Sequence, residues 1–352
     1  MQYADGFPRS QTNVLWLLHS AQNGRGTAFC INEESLLVGF AYRNCLQIAF
    51  ENRRRQMRLS LVMPCYNAAR FVRECLDSIR AQKFDNWECV CVDDGSTDGS
   101  FDILEEYSKK DDRFVIVRRS HGGVSAARNA GIVRAMGAYV GFIDADDTMD
   151  PDWLLQAIKA ISDSQADLVR LNPWCRAKSS SIGVEHILEH GFSWLSFVRK
   201  DALLAMSEPF PVGMRIREDT IFHLKLLNRG VSTSQRHGTG YHYRLNTDSS
   251  VYRSMPAQDF VRFVREMIPL LKGASMQKVS RTIYKTMLWW RVQRNKDKDG
   301  AESEALVWGA VDEARTKGVL NILYTPLLWT RNFILIDAYL ALRRRINPKW
   351  LP

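Results

Sequence analysis

The sequence predicts an α/β protein with a mostly parallel central sheet covered by helices, followed by a mainly helical C-terminal region. Three observations carry this. Short apolar runs alternate with helical patterns from Leu59 to Ile161, the signature of strand–helix repetition. Clusters of polar residues follow directly on Met63, Val92 and Ile143, where ligands bind in such sheets, beyond the carboxyl ends of the strands. From about residue 256 the strand pattern stops and the chain reads as helical and basic.

The elements follow in order. Leu59–Met63 is a short apolar strand. Ala68–Gln82 places Phe71, Val72, Cys75, Leu76 and Ile79 at helical spacing. Trp87–Val92 is the second strand. Phe101–Tyr107 is a helix with apolar residues at Phe101, Ile103, Leu104 and Tyr107, and Ser96 is a candidate cap before it. Phe114–Val117 is the third strand. Val124–Met136 is a helix stopped at Gly137. Tyr139–Ile143 is the fourth strand, and Asp152–Ile161 is a helix opened by Pro151.

The chain divides by texture into residues 1–56, 57–255 and 256–352. Residues 1–56 show no clean period and end in Arg53-Arg54-Arg55. Met57 then reads as a natural start leading straight into a buried strand, so 1–56 is expected to be a dispensable extension or a mis-assigned start, against the alternative of an accessory segment. The chain has 352 residues and a formal charge of +9, which favours anionic partners such as a nucleotide diphosphate, an acidic membrane or nucleic acid. Residues 253–352 hold 18 Lys+Arg against 9 Asp+Glu, so the excess sits in the tail. The seven cysteines make no Cys-x-x-Cys pair and no zinc spacing, which suits buried, reduced thiols. No signal peptide is visible, and the apolar stretch Val319–Leu342 is broken by Pro326, Arg331 and Asp337, a poor membrane span.

Four motifs carry chemistry. After the second strand comes Asp93-Asp94-Gly95-Ser96-Thr97-Asp98. A carboxylate there could accept the imide N–H of a uracil or a ribose hydroxyl; a capped turn is the plain alternative. After the fourth strand, Asp144-Ala145-Asp146-Asp147 packs three carboxylates into four residues. Their mutual repulsion is costly unless a cation offsets it, and hard oxygen ligands suit Mg²⁺ or Mn²⁺ bridging to phosphate. His121-Gly122-Gly123 opens a helix bearing Arg128 and Asn129, and helix starts attract anions. Glu218-Asp219 opens another helix. Acids in a first turn are ordinary dipole partners, so a role as general base depends on the other motifs.

Taken together and in this order, the motifs resemble the family 2 glycosyltransferases of the GT-A fold. The resemblance runs from about Met57 to Arg253 and rests on Pro64-x-Tyr66-Asn67, Asp93 to Asp98, Gly122-Gly123-x-Ser125-x-Ala127-Arg128-Asn129-x-Gly131, Asp144-x-Asp146-Asp147 and Glu218-Asp219. It implies that 57–255 is the catalytic domain. Asp94 would bind the nucleotide base, with Pro64, Tyr66 and Asn67 beside it. Arg128 would lie close to the nucleotide. Asp144 would hold the ribose, Asp146 and Asp147 the divalent metal, and Asp219 would be the catalytic base. The sequence carries His121 where many relatives carry Asn. Tyr241-His242-Tyr243-Arg244 and Ser249–Arg253 resemble the family's aromatic strand and Ser-rich loop; a β-strand with a core tyrosine and a satisfied histidine is the plain alternative. Gly191–Trp194 is expected on the acceptor side.

The expected activity is thus inverting transfer of a sugar from a nucleotide diphosphate donor, a UDP-sugar by analogy, to a glycan or lipid-linked hydroxyl in cell-surface polysaccharide synthesis. A cytoplasmic location is expected, at the inner face of the plasma membrane if the basic, aromatic-rich tail docks there; a helical cap on the catalytic domain and a homodimer contact are equal alternatives for that tail. A metal-dependent nucleotidyltransferase would show a Gly-rich basic loop after the first strand, where Pro64-Cys65-Tyr66-Asn67 stands. A non-catalytic binding protein of the same fold would be favoured had Asp146 or Asp219 been replaced. Nucleic acid is not expected as a partner, given acids at the sheet's mouth and no recognised binding motif.

Overall fold

The computed structural model of the chain describes residues 58–173, 175, 181–244, 256–271, 274–294 and 301–318. Contacts divide the chain into two units, Met1–Gln56 and Met57–Pro352. The expectations for 1–56, for the loop 249–253 and for 319–352 lie outside the described residues.

Within the second unit the strands are β1 (Leu59–Cys65), β2 (Trp87–Asp93), β3 (Phe114–Arg118), β4 (Tyr139–Phe142), β5 (Thr148–Met149), β6 (Leu168–Leu171), β7 (Ser196–Arg199), β8 (Thr233–Arg236) and β9 (Tyr241–His242). Seven of them form one sheet in the order β3-β2-β1-β4-β7-β6-β8. The β1–β2, β1–β4, β2–β3 and β6–β8 pairs are parallel, and β7 runs antiparallel to both neighbours. The mostly parallel sheet is therefore as expected. β5 and β9 make a separate antiparallel pair.

The helices are α1 (Val72–Arg80), α2 (Ser100–Lys110), α3 (Val124–Arg134), α4 (Trp153–Ser164), α5 (Val184–His190), α6 (Lys200–Leu204), α7 (Glu218–Asn228), α8 (Ala257–Met267), α9 (Met276–Arg294) and α10 (Ala301–Thr316). Strand side chains alternate between two apolar cores, as the two-residue period requires. On one face Leu59, Leu61, Met63, Cys89 and Cys91 pack on residues of α1, α2 and α4. On the other, Val62, Val90, Val140 and Phe142 pack on α3 and α7, and this core continues into Phe260, Phe263, Ile283 and Val307 of α8, α9 and α10. The described part of the tail is thus a helical layer of the same core. Among the described residues no helix is long and apolar enough to cross a membrane. Gly131 is needed where α3 presses on β1, because a Cβ there would lie 2.4 Å from Val62 Cγ1.

Two local expectations are corrected. α1 starts at Val72, not Ala68. The segment before it is held in a turn by Asp98 and Ser100, whose side chains accept the Ala69 and Ala68 amides at 2.9 and 2.8 Å. Ser96 does not cap α2. Gly99 occupies that place with φ +86°, the Asp98 carboxylate accepts the Ser100 amide, and Ser96 Oγ accepts the Asn67 amide instead. The five described cysteines, Cys65, Cys75, Cys89, Cys91 and Cys175, are buried and free. Burial pushes the Cys65 thiol up to about 12, so it stays protonated and inert.

Candidate active site

The parallel strands β1, β2 and β4 end side by side, and their C-terminal loops meet. Asn67, after β1, sits in the left-handed region at φ 50°. There its Oδ1 accepts the Thr97 amide at 2.8 Å, tying the first loop to the second. Tyr66 beside it is 44% exposed and Pro64 is half-buried.

Asp94, at the end of β2, is 2% exposed. Its carboxylate accepts from Arg119 Nη1 at 2.8 Å, from the Gly123 amide at 2.8 Å and from the Gly122 amide at 3.1 Å. His121 Nδ1 stands 2.9 Å from Oδ2. Gly95 makes this turn possible with φ +78°; a Cβ there would approach the His121 amide nitrogen to 2.9 Å.

α3 delivers Arg128 to the centre of the site. Arg128 is 4% exposed, and its guanidinium spans two carboxylates. Nη2 donates to Asp144 Oδ1 at 2.8 Å and Nη1 to Glu218 Oε1 at 2.9 Å. Burial works against its charge, but Asp144, Glu218 and Asp219 outweigh that, so Arg128 is held protonated. One side chain thus joins the loop after β4 to the first turn of α7. Next to it Asn129 makes a double hydrogen bond with the Phe210 backbone, 2.7 Å to the carbonyl and 3.0 Å from the amide, which fixes the segment leading into α7.

Asp219 is half-buried. Its Oδ1 accepts the Thr220 amide at 2.7 Å. Burial pushes its carboxyl upward, with Arg128 and Arg217 opposing; Glu218 is likewise raised by burial and by Asp219. A raised carboxyl is a stronger proton acceptor when ionised. Behind it the buried His223 bonds the Asp219 carbonyl through Nδ1 and Ser196 Oγ through Nε2, both at 2.7 Å.

In the loop after β4 the three acids have different surroundings. Asp144 and Asp146 are half-buried, whereas Asp147 is fully buried. Asp147 accepts from Tyr241 Oη at 2.7 Å and from the Arg244 amide at 2.8 Å. Burial, with Asp144 nearby, pushes Asp147 up to about 7. Tyr241 Oη also accepts the Asp144 amide at 3.3 Å, and Arg244 Nε donates to the Asp146 carbonyl at 2.8 Å. Tyr241 and Arg244 were not among the expected site residues; the Tyr-His-Tyr-Arg run is the signal that points to them. Of the plain alternative, the histidine is satisfied, His242 meeting Asp150 at 2.7 Å, and Tyr241 is partly buried against the core.

Rings line the far side. Trp194 stacks on Tyr241 with centroids 4.4 Å apart and planes 14° apart, and Phe192 and Tyr243 extend the row at 5.5 and 6.4 Å from Trp194. Gly191, which precedes the row, is packed on α7, where a Cβ would come within 3.1 Å of Thr220 Cα.

Residues 60–215 match the model described as Glycosyl transferase family 2. They form a family 2 glycosyltransferase domain. Over 217 residues the chain is 34% identical to glycosyltransferase EpsH of Bacillus subtilis (strain 168), covering 55% of this chain and 63% of EpsH. It is 29% identical over 241 residues to poly(ribitol-phosphate) beta-glucosyltransferase of Bacillus spizizenii, covering 63% of this chain and 38% of that one. The chain therefore spans less than two thirds of either relative. In structure the chain resembles residues 1–349 of S. aureus TarS in complex with UDP-GlcNAc, with a TM-score of 0.66 at 20% identity, covering 80% of this chain and 89% of that one. The fold is that of the GT-A enzymes.

Among the described residues no group of three His, Cys, Asp or Glu side chains converges as a complete metal cage. Mg²⁺ and Mn²⁺ at nucleotide sites need one or two carboxylates, the rest of the shell coming from phosphate oxygens and water. The oxygen donors after β4 of the glycosyltransferase domain fit that requirement. Both Asp147 oxygens already accept protein hydrogen bonds.

Proposed function

We propose that the domain is an inverting glycosyltransferase that moves a sugar from a UDP-sugar to a hydroxyl of a glycan or lipid-linked acceptor in cell-surface polysaccharide synthesis. The observation that carries this reading is the Arg128 bridge between Asp144 and Glu218. It sets the loop bearing the donor-side acids opposite the helix turn bearing Asp219, on the two sides of one buried cation.

In this reading Asp94 and Tyr66 receive the base, with Pro64 and Asn67 shaping that loop, and Asp144 receives the ribose. Asp146 would hold Mn²⁺ or Mg²⁺, which when bound supplies Lewis-acid neutralisation of the departing diphosphate; Asp147, held by Tyr241, positions that loop. Asp219 takes the proton from the acceptor hydroxyl as that oxygen attacks the anomeric carbon, and the C–O bond to the diphosphate breaks on the opposite face. A single displacement inverts the configuration. The row Phe192, Trp194, Tyr241 and Tyr243 supports an acceptor made of sugar rings, whose C–H faces stack on aromatic rings. The name of the poly(ribitol-phosphate) relative and the UDP-GlcNAc in the TarS complex support the same donor and a cell-wall acceptor.

The test is UDP release by the full chain across a panel of UDP-sugars and acceptors with Mn²⁺. Asp219→Asn should keep UDP binding and lose roughly 10²–10⁴-fold in turnover. Near-full turnover in that variant would remove Asp219 as the base.

A further inference from the structure

The loop between β3 and α3 sets His121 against both residues assigned above to the nucleobase. Its ring stacks on Tyr66, with centroids 4.1 Å apart and planes 25° apart. Its Nδ1 lies 2.9 Å from Asp94 Oδ2, and an ionised carboxylate only accepts, so Nδ1 carries the proton. A flat ring lying on an aromatic face, with its N–H on the Asp94 backbone carbonyl at 3.2 Å and beside the buried carboxylate, fills the space that an imide base such as uracil would take there. We propose that the His121 imidazole occupies the nucleobase position of the ligand-free donor pocket, that UDP binds by displacing it, and that residue 121 thereby sets donor affinity. This inference rests on the reading of Tyr66 and Asp94 as the base site.

The place of the ring requires the displacement. Arg119, Gly122 and Gly123 donate to the Asp94 carboxylate, and the His121 ring stands 2.9 Å from the same carboxylate while bonding the Asp94 backbone carbonyl at 3.2 Å. An incoming N–H needs one of these four groups to leave. The Gly122 and Gly123 donors are backbone amides locked by the turn into α3, Gly123 holding φ +87° at the helix start. Arg119 is wedged against that turn, since a Cβ on Gly122 would meet its Nη2 at 2.7 Å. The His121 side chain is 55% exposed, and rotation about its own bonds releases it without moving backbone. Nor does the base fit between the two rings, because an interposed ring would need their centroids about twice as far apart as one stack.

The protein then resists its own donor. Apparent affinity falls by the fraction of molecules whose pocket is open. One exposed stack and one exposed hydrogen bond would favour the closed form by roughly three- to tenfold. The fixed backbone matters here: the His121 amide nitrogen is packed over Gly95, so the ring returns to the same place whenever the pocket empties.

Isothermal titration of the full chain with UDP and with inorganic pyrophosphate, each with Mn²⁺, tests this. His121→Ala and His121→Asn should bind UDP about three- to tenfold more tightly than the unsubstituted chain, with pyrophosphate affinity unchanged, because pyrophosphate has no base to place. In turnover the gain should appear as a lower donor KM. The conservative Asn variant guards against a folding defect in Ala. Equal or weaker UDP binding in both variants would overturn the proposal while leaving the donor site intact. If neither the unsubstituted chain nor any variant binds UDP, the donor reading itself fails and this inference with it.

Discussion

Replacing Arg128 by Met tests the centre of the site most severely. The guanidinium side chain is 5% exposed and pairs with Asp144, 28% exposed, and Glu218, 13% exposed. Met fills similar volume but leaves two carboxylates, and Asp219 behind them, without their shared cation. Breaking a buried pair by removing one partner costs about 3–5 kcal/mol. For a domain of this size each kcal/mol is worth about 2–4 °C in Tm, so a fall on the order of 10 °C is expected. Arg128 also opposes the upward shift of Asp219; without it Asp219 binds its proton more tightly, so with Asp219 as the proposed base the acid limb of kcat/KM moves to higher pH. Arg128→Lys should recover only part of the loss, since one ammonium cannot donate to both acids in the geometry of a planar fork. The assays are urea unfolding and a pH–rate profile. A Met variant within about 1 kcal/mol of the unsubstituted chain, with an unmoved acid limb, would refute the bridge as the organising contact.

Asp147 gives a pH prediction. Its folded-state value of about 7 lies above the ordinary carboxylate value of about 3.9, so the folded chain binds this proton more tightly than the unfolded one. That contribution is complete below about pH 4 and is lost as pH rises through about 7. In EDTA, Asp147→Asn should flatten this decline in urea midpoint; an identical pH slope in both proteins would contradict it. Tyr241→Phe removes the hydroxyl shared by Asp147 and the Asp144 amide, and should weaken Mn²⁺–UDP binding several-fold while costing about 1–3 kcal/mol of stability, both measurable on one preparation. Trp194→Ala should raise the acceptor KM and leave UDP affinity in place, because the ring stands in the aromatic row and not in the base pocket. If the charge excess in the tail docks on membranes, the full chain should sediment with anionic liposomes in a salt-sensitive way; no salt-sensitive binding would contradict it.

The first half of the fold was legible because β1, β2 and β4 are mainly apolar runs buried on both faces, and the partly buried edge strand β3 is still the apolar run Phe-Val-Ile-Val. The second half was not. β7 reads Ser-Phe-Val-Arg and β8 Thr-Ser-Gln-Arg, and neither shows a run or an alternation that separates strand from loop. β6 carries Arg170, which is fully buried and donates to the His190 and Phe192 carbonyls, a polar residue that sequence patterning assigns to the surface. The site divides similarly. Contiguous motifs gave Asp94, Asp144, Asp146 and Asp219, whose residues lie at loops after strands or at a helix start. The Arg128–Glu218 pair spans 90 residues and the Tyr241–Asp147 pair spans 94, and no local spacing encodes such contacts. The same distinction explains Asp147: three adjacent acids look equivalent in sequence, but the turn buries one of them and leaves its neighbours half-buried.

Electron paramagnetic resonance of Mn²⁺ addresses the main claim, that the acids at the mouth of the sheet grip a divalent ion together with a pyrophosphate. Titrated into the full chain, Mn²⁺ should bind weakly alone and tightly once UDP is added, and Asp146→Ala should abolish the tight phase. Tight Mn²⁺–UDP binding undiminished in Asp146→Ala would contradict the account.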